Sequence, residues 1–451
     1  MDKKLMVSTS GIRGVIGNGL DPLLAGEYAA AFGTYLKSGS VVIGQDSRPS
    51  GDMIKMAVIA ALRSVGINVI DIGLVPTPTV EIAVTGLRAK GGICITASHN
   101  PSEWNALKFF NSRGEFIDKE DLNKIKEICS SRKFAFKEYR KLGTVKIDDT
   151  WVKKHIDLVL KLKVVNGGAI KKTRLKVVVD AINGAGSLAL PKLLEKLGVN
   201  VIRLNCRSDG NFVHAPEPIP ANLKMLMAAV KKNRADLGMA CDPDADRLAL
   251  VDETGLAIGE ELTLALAIAH VLSKKKGNVV VNLSTSRASE AMAVRNKARI
   301  FYAPVGEANV IEGIRKNRAV IGGEGNGGVI YPAFHCGRDA LVGAAIVLSH
   351  LAETKATLSQ AASKVPIYYN RKLKAALPSD FEGKMARVEE QAKKDFENLQ
   401  IDRRDGIRFD FPRGWFQIRK SNTEPIYRLI AETDSKKLTD VIIKEIMNLL
   451  K

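Results

Sequence analysis

The chain is poor in the residues that staple small folds or bind zinc. Its five cysteines, Cys94, Cys129, Cys206, Cys241 and Cys336, are odd in number and scattered over 451 residues without a C-x-x-C pair. Neither a disulfide framework nor a thiolate metal site is indicated. Aromatic residues make up 6% of the chain. They do not interleave with the short basic clusters at 170–174 and 273–277, so no stacking platform for single-stranded nucleic acid is evident. No uninterrupted apolar run approaches the ~18 residues of a membrane span. The segment MDKKLMVSTSG lacks the apolar core of a secretory signal. A cytoplasmic protein with no membrane partner is expected. A Walker A sequence is absent, and no G-x-S-x-G elbow surrounds a serine, so neither nucleotide hydrolysis nor serine-hydrolase chemistry is supported.

What the chain does have is positive charge, +19 from 68 Lys and Arg against 49 Asp and Glu. Such a balance permits nucleic-acid binding and suits anionic small substrates equally well. The basic residues are spread along the chain, which points to a solvated surface. No nucleic-acid partner is expected, and a basic nucleic-acid-binding protein is kept as the alternative from a different class. The sequence carries no signal of oligomeric state.

At this length the chain exceeds one hydrophobic core and implies about three or four domains. One pattern recurs three times, at 41–72, 176–204 and 278–305. Each copy is an apolar strand, a polar loop, an amphipathic helix and a second strand, at βαβ spacing that favours parallel pairing. The last ~85 residues instead read as successive strands, GIRFDF, GWFQIRK and PIYRLIAET, with helices at about 380–397 and 435–450. The expectation is an α/β protein. It comprises three similar α/β domains with mixed sheets (1–150, 151–255, 256–366) and a C-terminal α+β domain (367–451), around a central cleft.

Four clusters carry chemistry. The first is CDPDADR, which sets Asp242, Asp244 and Asp246 on alternate residues. Three close carboxylates repel unless a cation sits among them, and hard oxygen suits Mg²⁺ or Ca²⁺. An EF-hand is rejected, because Arg247 stands where the loop needs glycine and strands flank it. In the second, GICIT reads as a buried strand broken at SHNP, which leaves Ser98 at a strand end beside His99 and Asn100. Function in α/β proteins gathers at such ends. His99 can work near neutral pH, although its adjacency to Ser98 is awkward for direct proton transfer. The third is GGEGNGG at 322–328. It contains G-x-G-x-x-G, but VIYPAF follows rather than a helix, so the dinucleotide fingerprint is discarded. What remains is a loop presenting Glu324 and Asn326, groups suited to hydroxyls. The fourth, RKSNTEPIYR, offers Arg419 and Arg428 as guanidinium forks, with Ser421, Asn422 and Thr423 as short donors, a set matched to phosphate.

In this order the clusters resemble the serine, metal, sugar and phosphate loops of the α-D-phosphohexomutase superfamily. TSGIRG at 9–14 and GQDSRPSG at 44–51 are similar to its N-terminal signatures. The resemblance implies interconversion of hexose 6-phosphate and hexose 1-phosphate through a phosphoserine enzyme and a 1,6-bisphosphate. Ser98 would carry the phosphoryl group. Asp242, Asp244 and Asp246 would hold Mg²⁺, with Ser98 as a further ligand. Arg247 would lie near the transferred phosphate, Lys108 could act in proton transfer, and Arg13 matches a family active-site arginine. Glu324 and Asn326 would meet sugar hydroxyls. Arg419, Ser421, Asn422, Thr423 and Arg428 would grip the phosphate that is not reacting. The partner is a small sugar phosphate, with a hexose 1,6-bisphosphate as activator. Asn326 stands where many relatives carry serine, and some amino-sugar mutases carry asparagine. That tilts the expectation to phosphoglucosamine mutase over phosphomannomutase or phosphoglucomutase. Glu307 stands where phosphomannomutase-type relatives have a histidine, and His335 does not match that position.

Overall fold

The computed structural model describes residues 5–421 and 426–451. Four sheets follow one another along the chain. The first is mixed, in the order Leu5–Ser8, Gly11–Ile16, Trp104–Phe110, Gly91–Ile95, Ser40–Gln45, Asn68–Leu74, Val145–Ile147, with Gly19–Leu20 beside the second strand. Its middle strands read as unbroken apolar runs because helices cover both faces. The VVIGQ and GICIT segments accordingly lie parallel, with Val42 opposite Gly92 and Gln45 opposite Ile95.

The second and third sheets repeat one plan. Lys176–Asp180 lies between the parallel strands Asn200–Leu204 and Leu237–Cys241, and Leu248–Val251 returns antiparallel. Asn278–Asn282 likewise lies between Ile300–Ala303 and Ala319–Glu324, and Gly328–Ile330 returns antiparallel. The threefold βαβ repeat is therefore present. In both copies the tight antiparallel return creates a hairpin tip at the carboxyl end of a parallel strand, which is where ligands gather in such sheets.

The two repeats are not independent units. One continuous core runs from Ile156 to Val365 and takes in both sheets. Helices Glu260–Lys274 and Ala340–Thr354 make the joint, and both are apolar over most of their circumference, as helices buried on all sides must be. Asp339 caps the second of these, accepting from Leu341 N at 2.8 Å and Val342 N at 3.2 Å. This shared core fixes the two hairpin tips relative to each other.

The last sheet is wholly antiparallel, ordered Tyr369–Ala376, Ile426–Thr433, Gly414–Lys420, Ile407–Phe411, Gln400–Asp402. Helices Phe381–Asp395 and Lys436–Leu450 cover one face. It docks on the third sheet's domain. Ser284 Oγ donates to Gln417 Oε1 at 2.7 Å and Arg287 N to Glu432 Oε1 at 2.8 Å, and Arg408 Nη1 bonds Leu283 O. Among the described residues no helix is long and apolar enough to cross a membrane.

Candidate active site

Ser98 follows strand Gly91–Ile95 by three residues, buried and with a left-handed φ of 50°. A serine pays a steric penalty in that region, so its surroundings must over-determine it. They do so through Arg48. All five N–H groups of its guanidinium are engaged, on Asp46 Oδ2 and on the carbonyls of Ser98 (2.6 Å), Asn100 (2.7 Å), Pro101 (2.5 Å) and Trp104 (3.0 Å). Asp46 is held in turn by Thr96 Oγ1 at 2.6 Å, and that hydroxyl accepts from Ser98 N at 3.0 Å. The serine loop is thus wrapped around one buried arginine of the GQDSRPSG segment.

The aspartate loop is built from its own first side chain. Asp242 Oδ1 accepts from Asp246 N at 3.1 Å and Arg247 N at 3.2 Å, and Ala245 takes the left-handed bend at φ 52°. The other oxygen, Asp242 Oδ2, accepts from Ser98 Oγ at 2.9 Å. Asp244 Oδ2 accepts from Lys108 Nζ at 2.6 Å and Thr77 Oγ1 at 2.5 Å. Asp246 Oδ2 accepts from Lys108 Nζ at 3.4 Å and Arg338 Nη2 at 2.8 Å. Asp244 Oδ1 and Asp246 Oδ1 are buried without a hydrogen-bond partner, and one oxygen from each of the three aspartates lies within 4.8 Å of the others. Buried carboxylate oxygens are costly to leave unpaired. The donor set is all hard oxygen, so these residues fit Mg²⁺.

The electrostatics reflect crowding. Burial, then Asp246 and Asp244, push the Asp242 carboxyl well above its ordinary range. Burial acts the same way on Asp244, but Lys108 and Thr77 override it and hold that carboxyl below its usual value. Burial works to discharge Lys108, and the two aspartates reverse that and keep the ammonium charged. Arg247 stands over the same group, its Nε 3.6 Å from Asp246 and 3.9 Å from Asp242. Arg13 donates to Asn100 Oδ1 at 3.0 Å, and burial draws it down to about 10. His99 Nδ1 lies 3.4 Å from Ser98 Oγ. Burial, then Arg247, Arg13 and Arg338, drive its pKa well down, so the ring is neutral.

The sugar-loop residues lie on the third sheet's hairpin. No helix follows it. Gly328–Ile330 is a strand, as the rejection of a dinucleotide fingerprint requires. Its tip reaches the aspartate loop's return strand, with Leu248 N donating to Gly327 O at 3.0 Å. Glu324 accepts from Asn282 Nδ2 (2.8 Å), Gly306 N (3.2 Å), Arg338 Nη1 (2.7 Å) and Asn326 Nδ2 (3.4 Å). Burial would raise its pKa, but Arg338 and Asn282 hold it low, so it stays a carboxylate. Glu307 accepts from Arg338 N and Nε, at 2.8 and 3.1 Å.

The structure therefore brings Ser98, His99, Lys108, Arg13, Arg247 and the three aspartates together, and it connects Glu324 and Asn326 to them through Arg338. Arg419 and Arg428 stand on the last sheet, and Ser421 follows the end of strand Gly414–Lys420. Asp405 ties Arg419 to the third sheet's domain, accepting from Arg419 Nη1 at 3.2 Å and from Val305 N at 3.1 Å. Asn422 and Thr423 lie outside the described residues. His335 belongs to a separate buried cluster. Its Nε2 is 3.0 Å from Asp339 Oδ2, which also meets His155 Nε2 at 2.8 Å, and its Nδ1 is 3.2 Å from Glu81 Oε2.

Sequence reasoning missed Arg338, Thr77 and Asn282, and it read Arg48 only as part of a signature. Thr77 opens helix Thr77–Gly86 without any motif. Arg338 precedes a helix-capping aspartate, so its neighbourhood reads as a cap rather than a site.

Comparison with known proteins gives one answer along the whole chain. Residues 4–136, 153–255 and 260–368 match the phosphoglucomutase/phosphomannomutase alpha/beta/alpha domains I, II and III, and residues 380–449 match the C-terminal domain of the same family. The chain is 38% identical over 438 residues to a "Phosphoglucomutase/phosphomannomutase" of Thermococcus kodakarensis, covering 96% of this chain and 95% of that one. It is 35% identical over 448 residues to a "Probable phosphoglucosamine mutase" of Methanopyrus kandleri, covering 98% and 97%. Among solved structures, a phosphoglucomutase/phosphomannomutase family protein of Burkholderia thailandensis superposes with a TM-score of 0.86 at 27% identity, covering 99% of this chain and 98% of that one. Four matched domains in order, and near-complete coverage of relatives above 30% identity, place the chain in the phosphoglucomutase/phosphomannomutase family of the α-D-phosphohexomutases.

Proposed function

We propose that this phosphohexomutase interconverts glucosamine 6-phosphate and glucosamine 1-phosphate, with Ser98 as phosphoryl carrier and a hexose 1,6-bisphosphate as intermediate and activator. The observation that carries the reading is the 2.9 Å contact of Ser98 Oγ with Asp242, beside two buried carboxylate oxygens that lack hydrogen-bond partners. Asp242, Asp244 and Asp246, with an oxygen on Ser98, are the residues that would hold Mg²⁺. When bound, the ion offsets charge on the phosphoryl group and stabilises its transfer.

The chain's own residues do the rest. Arg48 holds the serine loop so that Oγ faces the carboxylates. Phosphoserine carries about −1.5 to −2 charge at pH 7, and Arg247, Arg13 and Lys108 are the cations that would offset it. Lys108, whose ammonium stays charged on Asp244 and Asp246, is proposed to act from that acid form, supplying a proton to the oxygen that leaves phosphorus. Glu324 is fully ionised and accepts from sugar hydroxyls, while Asn326 beside it can donate as well as accept. The intermediate must turn over so that either phosphate can meet Ser98. The distal grip therefore reads phosphate alone, a task for Arg419, Ser421, Asn422, Thr423 and Arg428.

The amino sugar is favoured by Asn326 and by the name of the Methanopyrus relative. The Thermococcus relative at 38% identity supports a second reading, glucose or mannose phosphate. Rates with glucosamine-, mannose- and glucose 6-phosphate, each with Mg²⁺ and a trace of glucose 1,6-bisphosphate, decide between them. The highest kcat/KM is expected for glucosamine 6-phosphate. A preference for either neutral sugar overturns the amino-sugar assignment.

A further inference from the structure

We infer that Arg338 is a positioning residue of the mutase reaction. Its guanidinium fixes the Asp246 carboxylate and the Glu324 carboxylate relative to each other across two domains, and position 328 is glycine so that this arginine can lie there. The inference rests on the assignment of Asp246 to the metal and Glu324 to the sugar.

The root of the side chain is immobile. Arg338 precedes Asp339, whose carboxylate caps helix Ala340–Thr354 and is itself held by His155 and His335. The Arg338 backbone N–H donates to Glu307. From that root the guanidinium fork serves three carboxylates at once, Glu307 through Nε (3.1 Å), Glu324 through Nη1 (2.7 Å) and Asp246 through Nη2 (2.8 Å). A lysine ammonium is a point charge on a flexible stem and cannot hold that planar three-way geometry. Asp246 Oδ1 has no hydrogen-bond partner, with Arg247 Nε 3.6 Å away, so Arg338 orients the carboxylate while leaving one oxygen for a cation.

Gly328 supplies the independent observation. A Cβ there would lie 2.3 Å from Arg338 Cδ and 2.9 Å from Cγ. Its backbone is not in the left-handed region, so the glycine answers to space rather than to φ. A side chain at 328 would force the arginine stem to shift, with Asn326 Oδ1 also only 3.0 Å from the added Cβ. The pair thus sets the distance between the carboxylate that faces the reacting phosphate and the one that faces the sugar hydroxyls. Misplacing reactants by about 1 Å costs about 10²-fold in rate.

The test is a double-mutant cycle on the full-length enzyme with Gly328→Ala and Arg338→Ala, and Arg338→Lys alongside. The assay substrate is whichever of the three sugar phosphates the unaltered protein turns over fastest. Arg338→Ala should lower kcat by about 10²-fold with KM changed by less than about threefold. Arg338→Lys should recover about tenfold of that loss. Gly328→Ala should cost about tenfold alone and nothing further in the Arg338→Ala background. A second readout is Mn²⁺ affinity by electron paramagnetic resonance, without sugar. Removing the cation beside Asp246 should tighten Mn²⁺ binding by about threefold or more while kcat falls.

A collapsed site would weaken both, and that result overturns the inference. Retained kcat in Arg338→Ala, or additive losses in the cycle, also overturn it. Should Arg338→Ala fail to fold, Gly328→Ala and Arg338→Lys decide, since both keep the charge. An unaltered protein inactive on all three sugars refutes the functional reading itself, and shows this before any variant is made.

Discussion

Replacing Arg48 by methionine is the perturbation whose cost the structure defines best. The residue is 2% exposed, and its guanidinium serves the Asp46 carboxylate and four carbonyls of the serine loop. Methionine matches the stem and deletes every donor. Leaving a buried ion-pair partner alone costs about 3–5 kcal/mol. Asp46 keeps Thr96 Oγ1 and the backbone N–H of residue 48, which sets the cost near the low end of that range. The carbonyl of Ser98 is buried and adds about 1 kcal/mol, while those of Asn100, Pro101 and Trp104 are closer to solvent and can be met by water. The expected destabilisation of the loop is therefore about 4 kcal/mol, or about 10³-fold in its opening equilibrium. Hydrogen exchange resolved over residues 96–104 reads this directly. The Ser98 amide, which donates to Thr96 Oγ1, should exchange about 10³-fold faster, and kcat/KM should drop by about 10²-fold. Arg48→Lys, with three donors for five acceptors, should fall between the two. Exchange within about tenfold of the unaltered protein in Arg48→Met, with turnover preserved, would refute the claim that this arginine holds the serine loop in its strained conformation.

Other outcomes follow from the same geometry. Asp244→Asn exchanges a carboxylate for a neutral amide, which weakens one hard-oxygen donor and removes the charge that anchors Lys108. Calorimetric Mg²⁺ affinity should weaken by about tenfold or more and kcat should fall further; unchanged affinity and rate would count against the triad as the metal site. Stability should fall with rising pH through the His335 cluster. Burial opposes protonation there, but Asp339 and Glu81 raise His335 from 6.5 to about 9, and burial raises Glu81 in the same direction. Because the folded value lies above the unfolded one, the contribution is complete below about 6.5 and is lost as pH climbs through about 9. The melting temperature should decline across that window, and His335→Gln should flatten the decline. Equal slopes in the two proteins would show that Glu81, His155 and Asp339 do not depend on the imidazolium.

The site was legible where chemistry is concentrated on a short stretch of chain. CDPDADR, TASHNP and GEGNGG each sit at the carboxyl end of a buried strand, and apolar strand, polar tip and return strand can all be read in order. Arg338 was illegible because its meaning lies in three carboxylates 92, 31 and 14 residues away in the chain. Thr77 was hidden for the same reason, since its partner Asp244 is 167 residues distant. In the fold, the strands of the three βαβ units were found, as was the contrast between the repeats and the antiparallel tail, whereas the buried strands Trp104–Phe110, Ala319–Glu324 and Gly328–Ile330 were not named. Tyr369–Ala376 escaped notice because it is an edge strand with polar, largely exposed side chains, so it shows no apolar run. The common core of the second and third repeats also went unread. It depends on which helices face one another, and periodicity within a segment does not specify that.

The claim on which the account stands is that Ser98 Oγ carries the phosphoryl group. Incubating the protein with Mg²⁺ and a bisphosphate sugar labelled in its phosphates, quenching, and mapping the label by peptide mass spectrometry tests it directly. Label is expected on Ser98, approaching one per chain, discharged to the hexose monophosphate in a single turnover and absent from Ser98→Ala. Label on another residue, or full mutase turnover by Ser98→Ala, would contradict it.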